Sequence, residues 1–385
     1  MQPSLSYWRS PCIPSHVDPQ LYFVHRMIEG SLRLVAICSA HVDDIKIAGS
    51  EQEIKKIVKD LEDAFGTVKT DWHAFKHCGV RHTQDPKTLE ITLDQDEYIA
   101  DLRTVNMSEL KGKSEEEELD EHYHALYMSL LGGVAWCVQT RGDISVYVVN
   151  LQRHAKKPTV KDMHDLNKLT TYMQKRSCKL RYKQLTPPLR LTVPVDSAYK
   201  REENEGHALC GAVFAICSSD ASTPGGDVQV IEWTCRKQKH VTRSTWASEL
   251  FATCDAVDTA LLLSGFFYEL VHGAVESAET LMKLRTVPGP LEIMISTDSC
   301  SVFTAMQASD VKIPTEKSTL FHIQWLHELV QRHIIQHIFW IDTRDMVADG
   351  LNKGTVNRLA LRELFTQACW KLNHDVKRWS GNGTK

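Results

Sequence analysis

The chain has 385 residues, 42% of them hydrophobic and 24% charged, with a formal net charge of −4. That length predicts about two or three domains, each large enough for its own core. The slightly acidic balance excludes a generally basic nucleic-acid binder, so any such surface must be local. The 11 cysteines are odd in number and include no CxxC pair. This fits neither a disulfide framework nor a cysteine zinc site, but does fit reduced thiols inside a cell. The N-terminal MQPSLSYWRS has no basic segment followed by an apolar run, so no signal peptide is expected. The apolar stretches read as too short to span a membrane. The expectation is a soluble protein of the cytoplasm or nucleus, not secreted.

In chain order, residues 1–30 are expected to be irregular, because Pro3, Pro11, Pro14 and Pro19 interrupt any periodicity. LRLVAICSA (32–40) and IKIAG (45–49) are β-prone runs joined by HVDD, a hairpin with Asp43 and Asp44 at its tip. Adjacent carboxylates repel unless cations hold them, and polymerases use such a pair to hold magnesium. Asp-Asp is equally an ordinary turn sequence. Ser50 and Glu53 form a capping box for a helix whose Ile54, Ile57, Leu61 and Phe65 point inward. HCGVRHT (77–83) and LEITLD (89–94) read as a second strand pair, joined through Asp85-Pro86. The acidic KGKSEEEELDE within 106–122 is a solvated linker or an exposed helix end. Two or three helices follow, with stripes at Leu126, Leu130, Val134 and Ala135, then at Met163, Leu166, Leu169 and Met173. The basic run Lys175, Arg176, Lys179, Arg181 and Lys183 either contacts phosphates or is a solvated helix end.

The last part gathers acids. LRLTVPVDSAYK (189–200) is a strand whose alternation ends at Asp196. HALCGAVFAICSS (207–219) and VQVIEWTCRK (228–237) are strands separated by the turn STPGGD. Val241 to Leu263 reads as one helix, with Trp246, Leu250, Cys254, Val257 and Leu261 as its apolar stripe. Thr242, Ser244 and Thr245 are candidate N-caps. Glu249 lies roughly 100° from the stripe's centre, at its margin; taken alone it is an ordinary surface glutamate. A second helical region to residue 286 leads to LEIMISTDSCSV, a strand ending at Asp298. HIIQHIFWID (333–342) is another strand, and a helix starts at or near Asp349. Acids from different elements of a mixed α/β sheet suit a two-metal phosphodiester hydrolase. Magnesium takes hard oxygen ligands, and two ions about 4 Å apart stabilise the attacking and leaving oxygens together. His322, His327, His333 and His337 have no cysteine at ligand spacing, so no histidine metal cluster is expected.

The order of these motifs resembles the C-terminal part of the Pol polyprotein of copia-type LTR retrotransposons. HVDDIKIAGSEQEI resembles that family's reverse-transcriptase palm hairpin, with His41 where the family has tyrosine. GVRHTQDPKTLEITLDQDEYIADL resembles its next hairpin and helix, through Gln95, Tyr98 and Ile99, and SHVDPQLYF resembles the lead-in. Tyr127, Leu130, Leu131, Gly132 and TRGDI resemble the helical connection, with Gly142 replacing the usual proline. VDSAY, Gly211 with Phe214, and Ile231-Trp233-Lys237-Gln238 resemble the ribonuclease H domain. So do Ser244-Thr245 with Glu249, Asp298-Ser299, and Ala348-Asp349 with Lys353. Departures are Ser197 in the first motif, Lys317-Ser318-Thr319-Leu320 for Lys-His-Ile-Asp, and Asn352 for a common threonine.

The resemblance implies an α/β (α+β) chain. A partial palm would cover 1–105, an acidic linker and helical connection 106–185, and a ribonuclease H-like domain with a mixed five-stranded sheet and flanking helices 186–375. A disordered tail would cover 376–385. Asp196, Glu249, Asp298 and Asp349 would be the catalytic, metal-binding acids for two Mg²⁺ ions, Mn²⁺ being a possible substitute. Trp233, Arg236, Lys237, Gln238, Ser244 and Thr245 would meet nucleic acid. Asp43 and Asp44 would be a polymerase remnant without the first palm aspartate, so no DNA synthesis is expected. The implied activity is hydrolysis of the RNA strand of an RNA–DNA hybrid. The rest of the polyprotein or a second copy would be the protein partner, with no membrane. The rival expectation is a catalytically silent nucleic-acid-binding or scaffold remnant.

Overall fold

The computed structural model describes residues 12–199, 207–218, 222–273, 278–308, 314 and 316–381. Three sheets and their helices make a mixed α/β chain. The first sheet is an antiparallel meander of β1 (Cys12–Pro14), β2 (Leu21–Ile28), β3 (Ser31–His41) and β4 (Asp44–Gly49). Two of these strands lie where irregular chain was expected, because Pro14 ends a strand and Pro19 occupies a turn, places that need no amide hydrogen. Pro3 and Pro11 fall outside the described residues. Helix α1 (Glu51–Phe65) covers this sheet with Ile57 and Leu61 buried. Phe65, expected inward, is 62% exposed at the helix end. Ser50 caps α1 through the Glu53 amide at 3.3 Å, while the Glu53 carboxylate pairs with Arg26 at 3.2 Å and Lys56 at 2.7 Å.

The second sheet comprises β5 (Ala74–His77), β6 (Val80–Gln84), β7 (Ile91–Asp94) and β8 (Leu180–Tyr182). The run 77–83 is therefore a turn and a strand, with Cys78 and Gly79 at φ 51° and 75° as a tight hairpin demands. Between β7 and β8 lie α2 (Asp96–Asp101), α3 (Glu121–Trp136), α4 (Ser145–Arg153) and α5 (Val160–Lys175). Leu130, Val134, Met163, Leu166, Leu169 and Met173 form their common core, and Leu126 lies outside it, 37% exposed. In TRGDI, Arg141 and Asp143 make a buried bidentate pair at 2.8 and 2.9 Å. Tyr172 donates to Asp143 at 3.3 Å and accepts from Arg362 at 3.0 Å. The acidic segment is tied to the start of α5 by main-chain bonds from Val160 to Glu117 at 3.0 Å and from Leu119 to Pro158 at 2.8 Å. Of the basic run, Lys179 pairs with Asp94 at 3.1 Å, Arg181 with Glu90 at 2.7 Å and Lys183 with Asp227 at 3.8 Å. These three cations pair with acids of neighbouring chain.

The third sheet contains β9 (Arg190–Ala198), β10 (Leu209–Cys217), β11 (Gly226–Lys237), β12 (Glu292–Thr297), β13 (His337–Ile341), β14 (Cys369–Trp370) and β15 (Val376–Trp379). Its order is β14-β11-β10-β9-β12-β13-β15. β12 runs parallel to β9 and β13, while β10 is antiparallel to β9 and β11. The expected five strands form the middle of a seven-stranded sheet. Residues 376–379 are not the start of a disordered tail. They pair with β13, and Trp379 closes the core at 6% exposure.

Alternation along β9 sends Leu191, Val193 and Val195 to one face, against α6 (Thr245–His272) and, after α7 (Ala278–Lys283), α8 (Cys300–Gln307) and α9 (Leu320–Gln331). The other face meets α10 (Asp349–Asn352) and α11 (Leu359–Gln367). The expected strand 333–342 is shorter, since the amides of Ile334 and Ile335 turn back to Leu329 at 2.9 and 3.2 Å. Helix α6 is longer than expected, and by length and a window hydropathy of 1.4 it could cross a membrane. Its apolar residues instead line the core, with Leu250, Val257 and Leu261 buried against the sheet. At its far end Glu269 accepts from the Ser15 hydroxyl at 2.5 Å and the His16 amide at 2.9 Å, which anchors the first sheet.

Candidate metal centre

Strand direction decides where the acids meet. β9, β12 and β13 are parallel neighbours, and β11 runs the same way, so all four end at one edge of the sheet. β9 presents Asp196 there, 1% exposed. Ser296 of β12 lies beside Pro194, so two residues further on Asp298 stands beside Asp196. The chain leaving β13 turns at 343–345 and starts α10 at Asp349. One carboxylate oxygen from each of Asp196, Asp298 and Asp349 lies within 4.8 Å of the others. Among the described residues no other group of three acids, histidines or cysteines converges in this way.

The neighbours explain how the site is held. Gly211 pairs with Asp196 across the sheet. A Cβ on Gly211 would lie 2.9 Å from the Ala348 carbonyl and 3.1 Å from the Leu351 Cβ, so its absence lets α10 sit against the sheet. Asn352 Nδ2 donates to the Asp196 carboxylate at 2.8 Å, to its carbonyl at 3.0 Å and to the Leu209 carbonyl at 3.1 Å. The Asn352 Oδ1 is buried with no hydrogen-bond partner. The Thr343 hydroxyl donates to Asp298 Oδ2, and Trp340 Nε1 donates to the Asp298 carbonyl at 2.9 Å. Lys353 Nζ lies 2.7 Å from Asp349 and 3.1 Å from Asp196.

Charge crowding is visible in the ionisation of the group. Burial and then the Asp196 charge push Asp349 up to about 7, with Lys353 opposing. Burial and Asp196 likewise raise Asp298, against the Thr343 hydrogen bond. Burial penalises the Lys353 charge, but Asp196 and Asp349 outweigh it and raise the ammonium above its ordinary range. Glu249 is 7% exposed on α6 and stands outside the group of three. Burial, then Asp196 and Asp298, push it up to about 10, so it faces the same pool of charge from the rim. The three aspartates can hold a metal ion, since they supply the hard oxygen donors that magnesium takes.

The residues expected to meet nucleic acid divide. Arg236, Lys237 and Thr245 are exposed, Arg236 pairing with Asp255 at 3.2 Å. Ser244 is the N-cap of α6, bonded to the Ala247 amide at 3.1 Å. Trp233 is half-buried, its ring 5.2 Å from that of Phe365. A Cβ on Gly142 would lie 2.6 Å from Phe365 and 3.1 Å from Trp233, so the missing side chain makes room for that packing. Gln238 is 3% exposed and donates to the Ser248 carbonyl at 2.9 Å. It positions the first turn of α6 and is not an exposed contact. Asp43 and Asp44 are exposed at the β3–β4 turn. They line an open groove of about 2370 Å³ with Lys46, Lys55 and His73, and no third acid gathers with them among the described residues. His322 packs on Phe251 with ring centroids 4.8 Å apart, His327 on Trp379 at 5.3 Å, and His337 bonds Ser380 at 2.8 Å.

The sequence reading gave no role to Lys353 or Thr343. The signal for Lys353 was its i+4 spacing from Asp349, which a helix turns into contact. Thr343 had no local signal, because its partner is 45 residues away in sequence. No model of a known protein family matches the chain, and no curated protein matches it.

Proposed function

We propose that the chain is a magnesium-dependent endonuclease of the ribonuclease H type, hydrolysing the RNA strand of RNA–DNA hybrids, within a copia-type retrotransposon polyprotein. The supporting observation is the convergence of Asp196, Asp298 and Asp349 to within 4.8 Å at the edge where parallel strands end. The sheet supports the same reading, since an antiparallel trio joined to two parallel strands carries the acids in the order the resemblance implies. Magnesium bound there would supply charge stabilisation to the attacking and leaving oxygens of an in-line displacement by water, leaving 3′-hydroxyl and 5′-phosphate ends. The chain's own part is to fix the carboxylates: Asn352 orients Asp196 and Thr343 orients Asp298. The exposed Arg236 and Lys237 at the end of β11 would take the hybrid backbone, reading its shape and 2′-hydroxyls more than its bases. Asp43 and Asp44 would be a silent polymerase remnant, as no third carboxylate gathers with them among the described residues.

A labelled hybrid incubated with Mg²⁺ and either the natural chain or Asp298→Asn tests this. Cleavage by the first and background from the second are expected; equal products from both refute the proposal. Binding of the hybrid without cleavage by either chain would establish a nucleic-acid-binding or scaffold remnant. That second reading draws support from Glu249 standing outside the group of three acids.

A further inference from the structure

We infer that the helical block α2–α5 is a working part of the metal centre, because Tyr147 of α4 and Arg358 together clamp the short helix that carries Asp349. This rests on the metal reading above and deepens it. Helix α10 has four residues, Asp349–Asn352. A helix that short does not hold itself, since one turn fixes several dihedrals for few hydrogen bonds. Its last carbonyls also find no partner within it. Arg358 supplies those partners from the chain that follows. Its Nε donates to the Gly350 carbonyl at 3.1 Å. Its terminal nitrogens donate to the carbonyls of Lys353 at 2.6 Å, Val356 at 3.1 Å and Gly354 at 3.4 Å. A guanidinium there also meets the negative end of the helix dipole.

Tyr147 anchors this clamp to the helical block. Its ring centroid lies 4.5 Å from the Arg358 guanidinium carbon, and its hydroxyl donates to the Gly354 carbonyl at 3.0 Å. Tyr147 is 207 residues from Gly354 in sequence. It sits on α4, which packs against α10 together with the 142–144 turn. On another side of α10, a Cβ on Gly350 would lie 2.8 Å from Leu361 Cδ2, so the missing side chain lets α11 close in. Helix α11 is tied to the same block, with Arg362 donating to the Tyr172 hydroxyl and the Ser177 carbonyl, each at 3.0 Å. None of these contacts uses a carboxylate of the cluster. The sheet therefore supports Asp349 through Gly211, and the helical block supports it through the clamp. Tyr147 and Arg358 are positioning residues that act through α10.

The test is calorimetric titration of Mn²⁺ into the full natural chain, Arg358→Ala, Tyr147→Phe and Tyr127→Phe, each checked for folding by circular dichroism. Tyr127→Phe is the control. It removes a buried hydroxyl of the same block whose bond, to the Leu151 carbonyl at 2.8 Å, does not involve α10. Arg358→Ala should lower the affinity for Mn²⁺ about 10–100-fold, as loss of a group that orients a ligand does. Tyr147→Phe, which loses one hydrogen bond, should lower it about fivefold. Tyr127→Phe should change it less than about twofold, which separates positioning of Asp349 from general loosening of the block. Tyr147→Phe removes a single oxygen, and it decides alone where Arg358→Ala does not fold. An affinity in Tyr147→Phe equal to that of the natural chain, or an equal loss in Tyr127→Phe, overturns the inference and leaves the metal reading intact. No Mn²⁺ on the natural chain overturns both.

Discussion

Glu249 offers the sharpest test of the site, because its ionisation and its ligand role are tied together. Burial and the charges of Asp196 and Asp298 push it up to about 10, so it keeps its proton throughout the neutral range. A divalent ion that uses its carboxylate must expel that proton. While pH stays below that value, Glu249 by itself contributes about a tenfold change in apparent affinity per pH unit, about hundredfold between about pH 6 and about pH 8. Asp349, held up to about 7, adds to the slope below its own value. Calorimetric titration of Mn²⁺ in two buffers of different ionisation enthalpy reads both the slope and the proton released. About one proton per ion from this residue is expected at pH 7, and Glu249→Gln should remove that part of both. A flat affinity profile in the natural chain would refute a ligand role for Glu249 and leave it a rim residue. Stability follows the same protons with the opposite sense. The native chain holds protons on Glu249 and on Asp349, at about 10 and about 7, that unfolded carboxylates release near 4.5 and 3.8. The native state therefore binds more protons above those lower values, and stability without metal falls as pH rises through about 4 to 7 and onward. Magnesium, by favouring the ionised form, should reduce that fall.

Three other outcomes are expected. Arg141→Ala leaves Asp143 buried without its bidentate partner, and should cost about 3–5 kcal/mol in urea unfolding; a loss under about 1 kcal/mol would show that the pair is not holding the helical block. Trp379→Ala opens the core beneath β15 and should cost about 3–5 kcal/mol, whereas no change in melting would restore the disordered tail. Gly211→Ala drives a Cβ to 2.9 Å from the Ala348 carbonyl. Displacing α10 should weaken Mn²⁺ binding about 10–100-fold in the same calorimetry, and unchanged affinity would show that the sheet does not set the position of Asp349.

What the sequence made legible was local. The β3–β4 hairpin, the stripe of α6 and the strands ending at Asp196 and Asp298 could all be seen, because period-2 and 3.6-residue patterns report burial directly. Glu249 at the stripe's margin was legible for the same reason, and the structure adds that it stands outside the tight group of three. The failures lie where distant chain decides. β1 and β2 were hidden because prolines read as breakers even at strand ends and turns. Phe65 and Leu126 have the right spacing but no facing element to bury them. β15 exists because β13 offers an edge and the core leaves a place for Trp379, and neither fact is written in residues 376–379. Trp233 and Gln238 fit a motif, yet Phe365 and Ser248 turn them to packing and positioning.

The two acidic motifs of the chain show why composition alone cannot rank them. Asp43 and Asp44 are adjacent, but they sit on an exposed turn, where water screens their repulsion and no cation is needed. Asp196, Asp298 and Asp349 are more than fifty residues apart in sequence, and the fold brings their oxygens within 4.8 Å under cover of α10 and the 343–345 turn. At that spacing each pair of unit charges repels by about 3 kcal/mol at an effective dielectric of about 20. A fold that assembles three such acids must neutralise them with protons or with cations. Burial and mutual repulsion push Asp298, Asp349 and Glu249 towards the protonated form, and Lys353 supplies a cation. Asn352 and Thr343 hold the carboxylates of Asp196 and Asp298 in place. Without a cation to receive, a core of apolar side chains in the same volume would be the more stable solution. The presence of the cluster, with its supports, is the strongest physical reason to look for the ion.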